Sequence, residues 1–316
     1  MELHRFSEAR EVLSRYLRQT RLARAASLEA NSKQKVFLKL ESEMPTGSFK
    51  VRGAIYALSV HEQGGGARKV VASSTGNHGA AVAYAAQLLG WKARIFLPEN
   101  CNPVKRANIA RLGAEIVEKG ALDSAAAFEA ADEYARESGA FFLNDATDPD
   151  LPAGPGTIAC EIFEQQSDVD AIYVPMGDTA LIRGVAAAAK QISPKVKIIG
   201  VQSERAPSYF LSWQEGRAIE TATCDTIADG LATRTPEAAN VAVIRELVDE
   251  VVLVSEAEML NGIARLLMDE HVVAEPAGAA ATAAYLKSDS GRHGSTVLLV
   301  TGANISGEVL QQACCK

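Results

Sequence analysis

A chain of 316 residues with 47% hydrophobic and 22% charged content is too long for one small core and short for three domains, so one or two soluble globular domains are expected. The net charge of −7 and a pI near 5.4 exclude a phosphate-backbone partner, because nucleic-acid binding needs concentrated Lys and Arg. No apolar stretch approaches the ~20 residues that span a bilayer, and the opening MELHRFSEAREVLSRYLRQTRL mixes both charge signs unlike a secretory leader, so a cytoplasmic protein without membrane partners is expected.

From about Gln34 onward, short β-branched runs alternate with alanine-rich or amphipathic stretches. Strands are predicted at Lys35–Leu40, Lys69–Ser73 and Ala93–Leu97, with a helix at His78–Leu89 between the last two. A helix at Pro103–Leu112, a strand at Glu115–Val117 and a helix at Leu122–Ser138 follow. The second half predicts strands at Ala171–Pro175, Lys197–Gln202, Val251–Val254 and Thr296–Thr301, with helices at Leu181–Ile192, Glu256–Asp269 and Ala277–Leu286. This alternation is the signature of an α/β fold with parallel sheets covered by helices on both faces.

No low-complexity linker interrupts the chain, so two domains would be joined by chain crossings. The glycines at Gly64–Gly66 and the Asp-, Pro- and Gly-rich segment Asn144–Gly156 are the candidate crossings, bracketing strand-helix repeats from Lys69 to Phe142. The five cysteines, Cys101, Cys160, Cys224, Cys314 and Cys315, lack the paired spacings of a zinc or redox site and read as reduced thiols.

Four segments at strand ends carry candidate chemistry. In Met44-Pro-Thr-Gly-Ser-Phe-Lys-Val-Arg-Gly53 a Pro and Gly break ends a strand and puts Lys50 at the start of a helix. A helix amino terminus disfavours an ammonium, which predicts a depressed pKa and an amine suited to Schiff-base chemistry; a solvated surface lysine is the ordinary alternative. Ser73-Ser-Thr-Gly-Asn-His-Gly79 offers consecutive N–H groups for an anion such as a substrate carboxylate, or a plain helix cap. Val174-Pro-Met-Gly-Asp-Thr-Ala-Leu-Ile-Arg-Gly184 is a second anion cradle or an unliganded tight turn. Leu298-Leu-Val-Thr-Gly-Ala-Asn304 ends a strand in a hydroxyl residue and says little alone.

In this order the four segments resemble the fold-type-II pyridoxal-phosphate enzymes, in the serine/threonine dehydratase and serine racemase branch, over nearly the whole chain. TGSFKVRGA and STGNHG carry most of the resemblance, with AGPGTIACE, TIADG and AEPAG in support. It implies a tryptophan-synthase-β-like architecture of two doubly wound parallel-sheet domains with pyridoxal 5′-phosphate between them. The large domain would comprise 1–50 and 147–316, and 51–146 would form a small mobile domain. The resemblance makes Lys50 the catalytic residue that holds the cofactor as a Schiff base, sets Phe49 beside the ring, and has Asn77 bond its 3′-oxygen. Ser74, Thr75, Gly76, Asn77 and His78 would bind the substrate carboxylate. Gly177, Asp178, Thr179, Ala180 and Leu181 would cradle the phosphate, and Thr301 would face the pyridine nitrogen with Gly230 and Glu275 on the same side.

The implied reaction is loss of water from a small 3-hydroxy amino acid, L-threonine or L-serine, in amino-acid catabolism, giving a 2-oxo acid and ammonia. A neutral hydroxyl at Thr301 need not protonate the ring nitrogen, which favours prompt loss of a β-leaving group. A homodimer is expected, with no regulatory domain after Lys316. Three departures from the family pattern stand out. The family's usual run of glycines is here Gly177-Asp-Thr-Ala180, which sets the carboxylate of Asp178 beside the expected phosphate; its side chain is expected to turn away, with Arg183 as possible ion partner. Thr75 replaces the serine base of racemases. Gln202 and Ser208 stand where some relatives hold a divalent cation, so no metal is expected there. A racemase, a β-replacement enzyme, a dehydratase of bulkier 3-hydroxy amino acids, and a silent cofactor-binding protein are the alternatives.

Overall fold

The computed structural model describes residues 3–29, 34–74, 76–98, 103–118, 124–288 and 294–315. Helix α1 (Leu3–Ser14) turns Phe6, Ala9, Val12 and Leu13 inward, and the short strand β1 (Leu22–Arg24) leads to β2 (Gln34–Leu40). Then come α2 (Lys50–Gln63), β3 (Lys69–Ser73), α3 (Asn77–Leu89), β4 (Lys92–Leu97), α4 (Pro103–Arg111), β5 (Glu115–Glu118), α5 (Ser124–Ser138) and β6 (Phe141–Phe142). The rest comprises α6 (Ala153–Gln165), β7 (Ala171–Pro175), α7 (Ala180–Ile192), β8 (Lys197–Ser203), α8 (Ser208–Glu215), α9 (Ala238–Leu247), β9 (Glu250–Val254), α10 (Glu256–Glu270), α11 (Pro276–Lys287), β10 (Gly294–Val300) and α12 (Gly307–Cys314).

Two sheets result. The larger has the order β1-β2-β10-β7-β8-β9 and is parallel except at β1, which pairs antiparallel with β2. The smaller, β5-β4-β3-β6, is parallel throughout. Central strands read as unbroken apolar runs because both faces are covered: all five residues of β7 are buried. Separate apolar clusters lie on either face of each sheet. The α/β doubly wound pattern expected from sequence is therefore present in both.

Every strand predicted from the sequence is present within a residue or two. The two-residue β6 and the three-residue β1 escape detection because neither is long enough to show a period. Helix α6 opens Ala153-Gly-Pro-Gly156, a poor helical sequence; tertiary packing overrides propensity. A Cβ at Gly156 would lie 2.3 Å from the Phe6 ring and one at Gly154 2.5 Å from the Arg52 carbonyl, so small residues let α6 dock against α1 and α2. Helices α1, α8, α9 and α12 were likewise not resolved by the sequence pattern. Cys160, Cys224, Cys314 and Cys315 are free thiols; Cys101 lies outside the described residues. No described helix is long and apolar enough to cross a membrane.

Parallel strands deliver their following loops to one edge, where ligands of open α/β sheets bind. The loops after β2, β3, β6, β7 and β10 carry Lys50, Asn77, Asp145, Asp178 and Thr301 respectively, and they meet between the two sheets.

Candidate active site

The segment after β2 is pinned to the segment after β10. Ser48 forms an antiparallel bridge with Gly302, Phe49 N donates to Thr301 O at 3.1 Å, and Ala303 N donates to Gly47 O at 2.9 Å. Gly47 makes this turn at φ +70°, where a side chain would be strained and would strike Asn304. Lys50 is thereby the first residue of α2, as expected, and its Nζ donates to Asp145 Oδ2 at 2.5 Å.

The expected depression of the Lys50 pKa is not what the structure shows. Burial does lower it, but the charges of Asp145, then Asp178, and further Glu275 outweigh burial and raise it. A helix end carries about half a charge, whereas these carboxylates carry whole ones. Burial also works against ionised Asp145, yet Lys50 foremost holds its carboxyl below the usual range.

Two residues beyond Lys50, Arg52 anchors the start of α2 in a buried charge cluster. It donates to Glu41 Oε1 and Oε2 at 2.9 and 2.8 Å, to Glu161 Oε1 and Oε2 at 2.6 and 2.9 Å, and to Thr157 Oγ1 at 3.0 Å. Lys39 Nζ completes the set, donating to Glu161 Oε2 at 2.6 Å. Two cations face two carboxylates, so the cluster is balanced and every buried charge is bonded.

Asn77 heads α3. Its Nδ2 donates to Glu275 Oε1 at 2.7 Å and its Oδ1 accepts from Asn304 Nδ2 at 2.7 Å, so the amide is held from both sides. Ser74 Oγ accepts from Gly76 N at 3.3 Å. His78 Nε2 lies 2.8 Å from Leu143 O; a carbonyl only accepts, so the proton sits on Nε2 and Nδ1 faces Asp145 Oδ2 at 3.8 Å. Thr75 lies outside the described residues.

After β7, Gly177 passes so close to the backbone that a Cβ would stand 2.1 Å from Gly230 O, leaving room for glycine alone. Thr179 caps α7 at φ 74°, a left-handed conformation that costs a threonine about 1–2 kcal/mol. The first N–H groups of α7 have no partner within the helix and form an anion cradle. Asp178 does not pair with Arg183, contrary to expectation. Its Oδ1 accepts from Thr233 Oγ1 at 3.0 Å, while Arg183 donates to Thr179 Oγ1 at 3.2 Å and Ala146 O at 3.1 Å. The guanidinium reaches over the turn to the loop after β6, and Asp178 is left lining the pocket. Burial first, and Asp145 second, push its carboxyl up to about 6.

Thr301 is buried at the end of β10, its Oγ1 3.5 Å from Ala277 O, and Glu275 caps α11 beside Asn77. One pocket gathers Phe49, Lys50, Ser74, Gly76, Asn77, His78, Gly177, Asp178, Thr179, Ala180, Leu181, Gly230, Glu275 and Thr301. It also takes in Asp145, Pro175, Asp229, Leu231 and Ala277, which sequence reasoning missed. The one signal for Asp145 was its place in the Asp-rich segment after Phe142. Gln202 and Ser208 stand away from this pocket, Gln202 Oε1 accepting from Phe210 N at 2.9 Å and Ser208 Oγ donating to Thr233 O at 2.6 Å. A lysine amine, an N–H cradle at a helix start and a buried neutral hydroxyl fit a flat aldehyde cofactor with a phosphate tail.

Comparison with known proteins agrees. The sequence model of the family described as pyridoxal-phosphate dependent enzyme matches residues 13–302. An L-threonine ammonia-lyase of Thermotoga maritima is 36% identical over 310 residues, covering 98% of this chain and 77% of the relative. A catabolic L-threonine dehydratase of Escherichia coli is 35% identical over 301 residues, covering 94% of this chain and 91% of its own. Among solved structures, maize serine racemase superposes with a TM-score of 0.92 at 29% identity, covering 99% of this chain and 96% of the other.

Proposed function

The chain belongs to the family of pyridoxal-phosphate dependent enzymes, and from that premise we propose that it removes water from a small 3-hydroxy amino acid, releasing a 2-oxo acid and ammonia. L-threonine and L-serine are the simplest substrates, and the names of its threonine ammonia-lyase relatives support this choice. One observation carries the reading: Lys50 heads α2 with its Nζ inside the same pocket as the α7 cradle, the Asn77 loop and Thr301.

When bound, pyridoxal phosphate supplies an electron-withdrawing ring that takes up the electron pair left at Cα. Lys50 would hold its carbonyl carbon, the amides at the start of α7 its phosphate, Phe49 and Asn77 its ring, and Thr301 its ring nitrogen. The Thr301 hydroxyl brings no formal charge to that nitrogen. The N–H groups of the segment 76–78, at the start of α3, are oriented toward an anion and bind the substrate carboxylate. Lys50 Nζ, as the neutral amine, takes the Cα proton; the carbinol C–O bond breaks, and the hydroxyl leaves as water with the proton that the Lys50 ammonium returns. Residues 51–146, which contain the carboxylate loop and the smaller sheet, close over the site and exclude water from the reactive product.

The test is a panel of 3-hydroxy amino acids assayed for ammonia and 2-oxo acid. Equal amounts of both products from at least one member are expected. Racemisation without ammonia, or no product from any member, would overturn the proposal.

A further inference from the structure

Removing water from threonine or serine gives no work to two carboxylates of the pocket, Asp145 and Asp178. We propose that they bind a second, cationic amino group on the substrate's side chain, so that the preferred substrate is a 3-hydroxy amino acid bearing a distal ammonium. The inference rests on the elimination reading above and names its substrate class.

The charges around the pocket argue for it. Glu275, at the N-cap position of α11, is accounted for by accepting from Asn77 Nδ2 at 2.7 Å. Asp145 has one cationic hydrogen-bond donor, Lys50 Nζ at 2.5 Å, since His78 gives its Nε2 proton to Leu143 O and stands 3.8 Å away at Nδ1. Asp178 receives one hydrogen bond, from the neutral hydroxyl of Thr233 at 3.0 Å, because Arg183 is spent on Thr179 and Ala146. Both acids line the same pocket as Lys50; Asp178 feels the charge of Asp145, and both act on Lys50.

During turnover this balance fails. Lys50 must become a neutral amine to accept the Cα proton, and Asp145 then loses its hydrogen-bonded cation, with His78, 3.8 Å away, and the charge of Arg183 left outside hydrogen-bond reach. The cofactor phosphate and the substrate carboxylate add further negative charge. A buried carboxylate without a hydrogen-bonded counter-charge is unfavourable, so a cation that can bond it at that moment is favoured. The methyl of threonine and the hydrogen of serine cannot provide one. A side-chain ammonium can, donating to Asp145 and Asp178 together while leaving the α-amino and α-carboxylate groups to the cofactor and the α3 start. A carboxyl that titrates near pH 6 is ionised at neutral pH once such a cation arrives.

Holoenzyme is assayed with threonine, serine, 3-hydroxy amino acids bearing an amino group on C4, C5 or C6, and the N-acetyl derivative of each distal amine. The proposal expects kcat/KM for one free amine to exceed that for its neutral N-acetyl form and for threonine at least about tenfold. In Asp178→Asn the ratio of amine to threonine should fall about tenfold or more, mainly through KM, whatever happens to both absolute rates. If threonine and serine are turned over and no free amine gains over its acetylated form, the inference fails and the dehydratase reading stands. If no compound yields ammonia and 2-oxo acid, the elimination reading fails instead. The charge preference is then read from equilibrium binding of the same pairs by cofactor absorbance, and equal affinities would overturn it.

Discussion

Replacing Arg52 by methionine keeps an unbranched apolar stem and deletes the cation that serves Glu41 and Glu161 in the buried cluster. Five hydrogen bonds are lost, four of them to carboxylates, and Lys39 alone remains to balance two negative charges. Breaking one side of a buried ionic cluster costs about 3–5 kcal/mol, a large share of a typical total of ~5–15 kcal/mol. A solvent-screened pair would lose at most about 1 kcal/mol. The assay is urea unfolding at several pH values. In the parent, burial raises the Glu161 pKa but Arg52 and then Lys39 lower it more, so its stabilisation is present at neutral pH and lost as pH falls through the depressed value. In the variant a surplus carboxylate is pushed upward, so its penalty is full at neutral pH and relieved as the group takes a proton. The gap between the two proteins should therefore narrow from pH 7 toward pH 5. Adding Glu41→Gln to Arg52→Met leaves Lys39 and Glu161 as a one-to-one pair and should recover most of the loss. A cost below about 1 kcal/mol, or a gap independent of pH, would refute the reasoning.

Gly177→Ala puts a methyl 2.1 Å from Gly230 O, so the cradle must open; cofactor affinity measured by absorbance titration should fall at least tenfold with the circular dichroism unchanged. Asp178→Asn should be the more stable protein at neutral pH. The folded-state pKa lies near 6, above the ordinary 3.8, so the parent loses stability as pH rises through that interval. The variant's advantage should be absent near pH 4 and reach ~2 kcal/mol by pH 8, after a discount for partial solvent screening; a flat difference in thermal unfolding across that range would contradict it. Closure of residues 51–146 predicts that Asn77 stands at different positions relative to β10 in crystals grown without and with a substrate analogue, and identical positions would count against it.

The fold was legible because a parallel sheet buried on both faces must be written in short apolar runs, and β3 and β7 begin and end where those runs do. Lys50, Asn77, Gly177 and Thr301 were legible because each sits in a strand-to-helix turn whose sequence is local. Asp145 was not, because its importance comes from a partner 95 residues earlier and its place in an Asp-rich segment does not single it out. The same distance explains the inverted expectation for Lys50: a helix end is visible in sequence, three carboxylates converging from other loops are not. Arg183 looked like the partner of Asp178 by proximity in sequence. Its hydrogen bonds go instead to the Thr179 hydroxyl and the Ala146 carbonyl.

The central claim is that Lys50 carries the cofactor, and the direct measurement is borohydride reduction of the holoenzyme followed by peptide mapping. The account predicts a single phosphopyridoxyl label on the peptide containing Lys50, with label and visible absorbance band both lost in Lys50→Ala. A label on another lysine, or a reducible link that survives in Lys50→Ala, would contradict it.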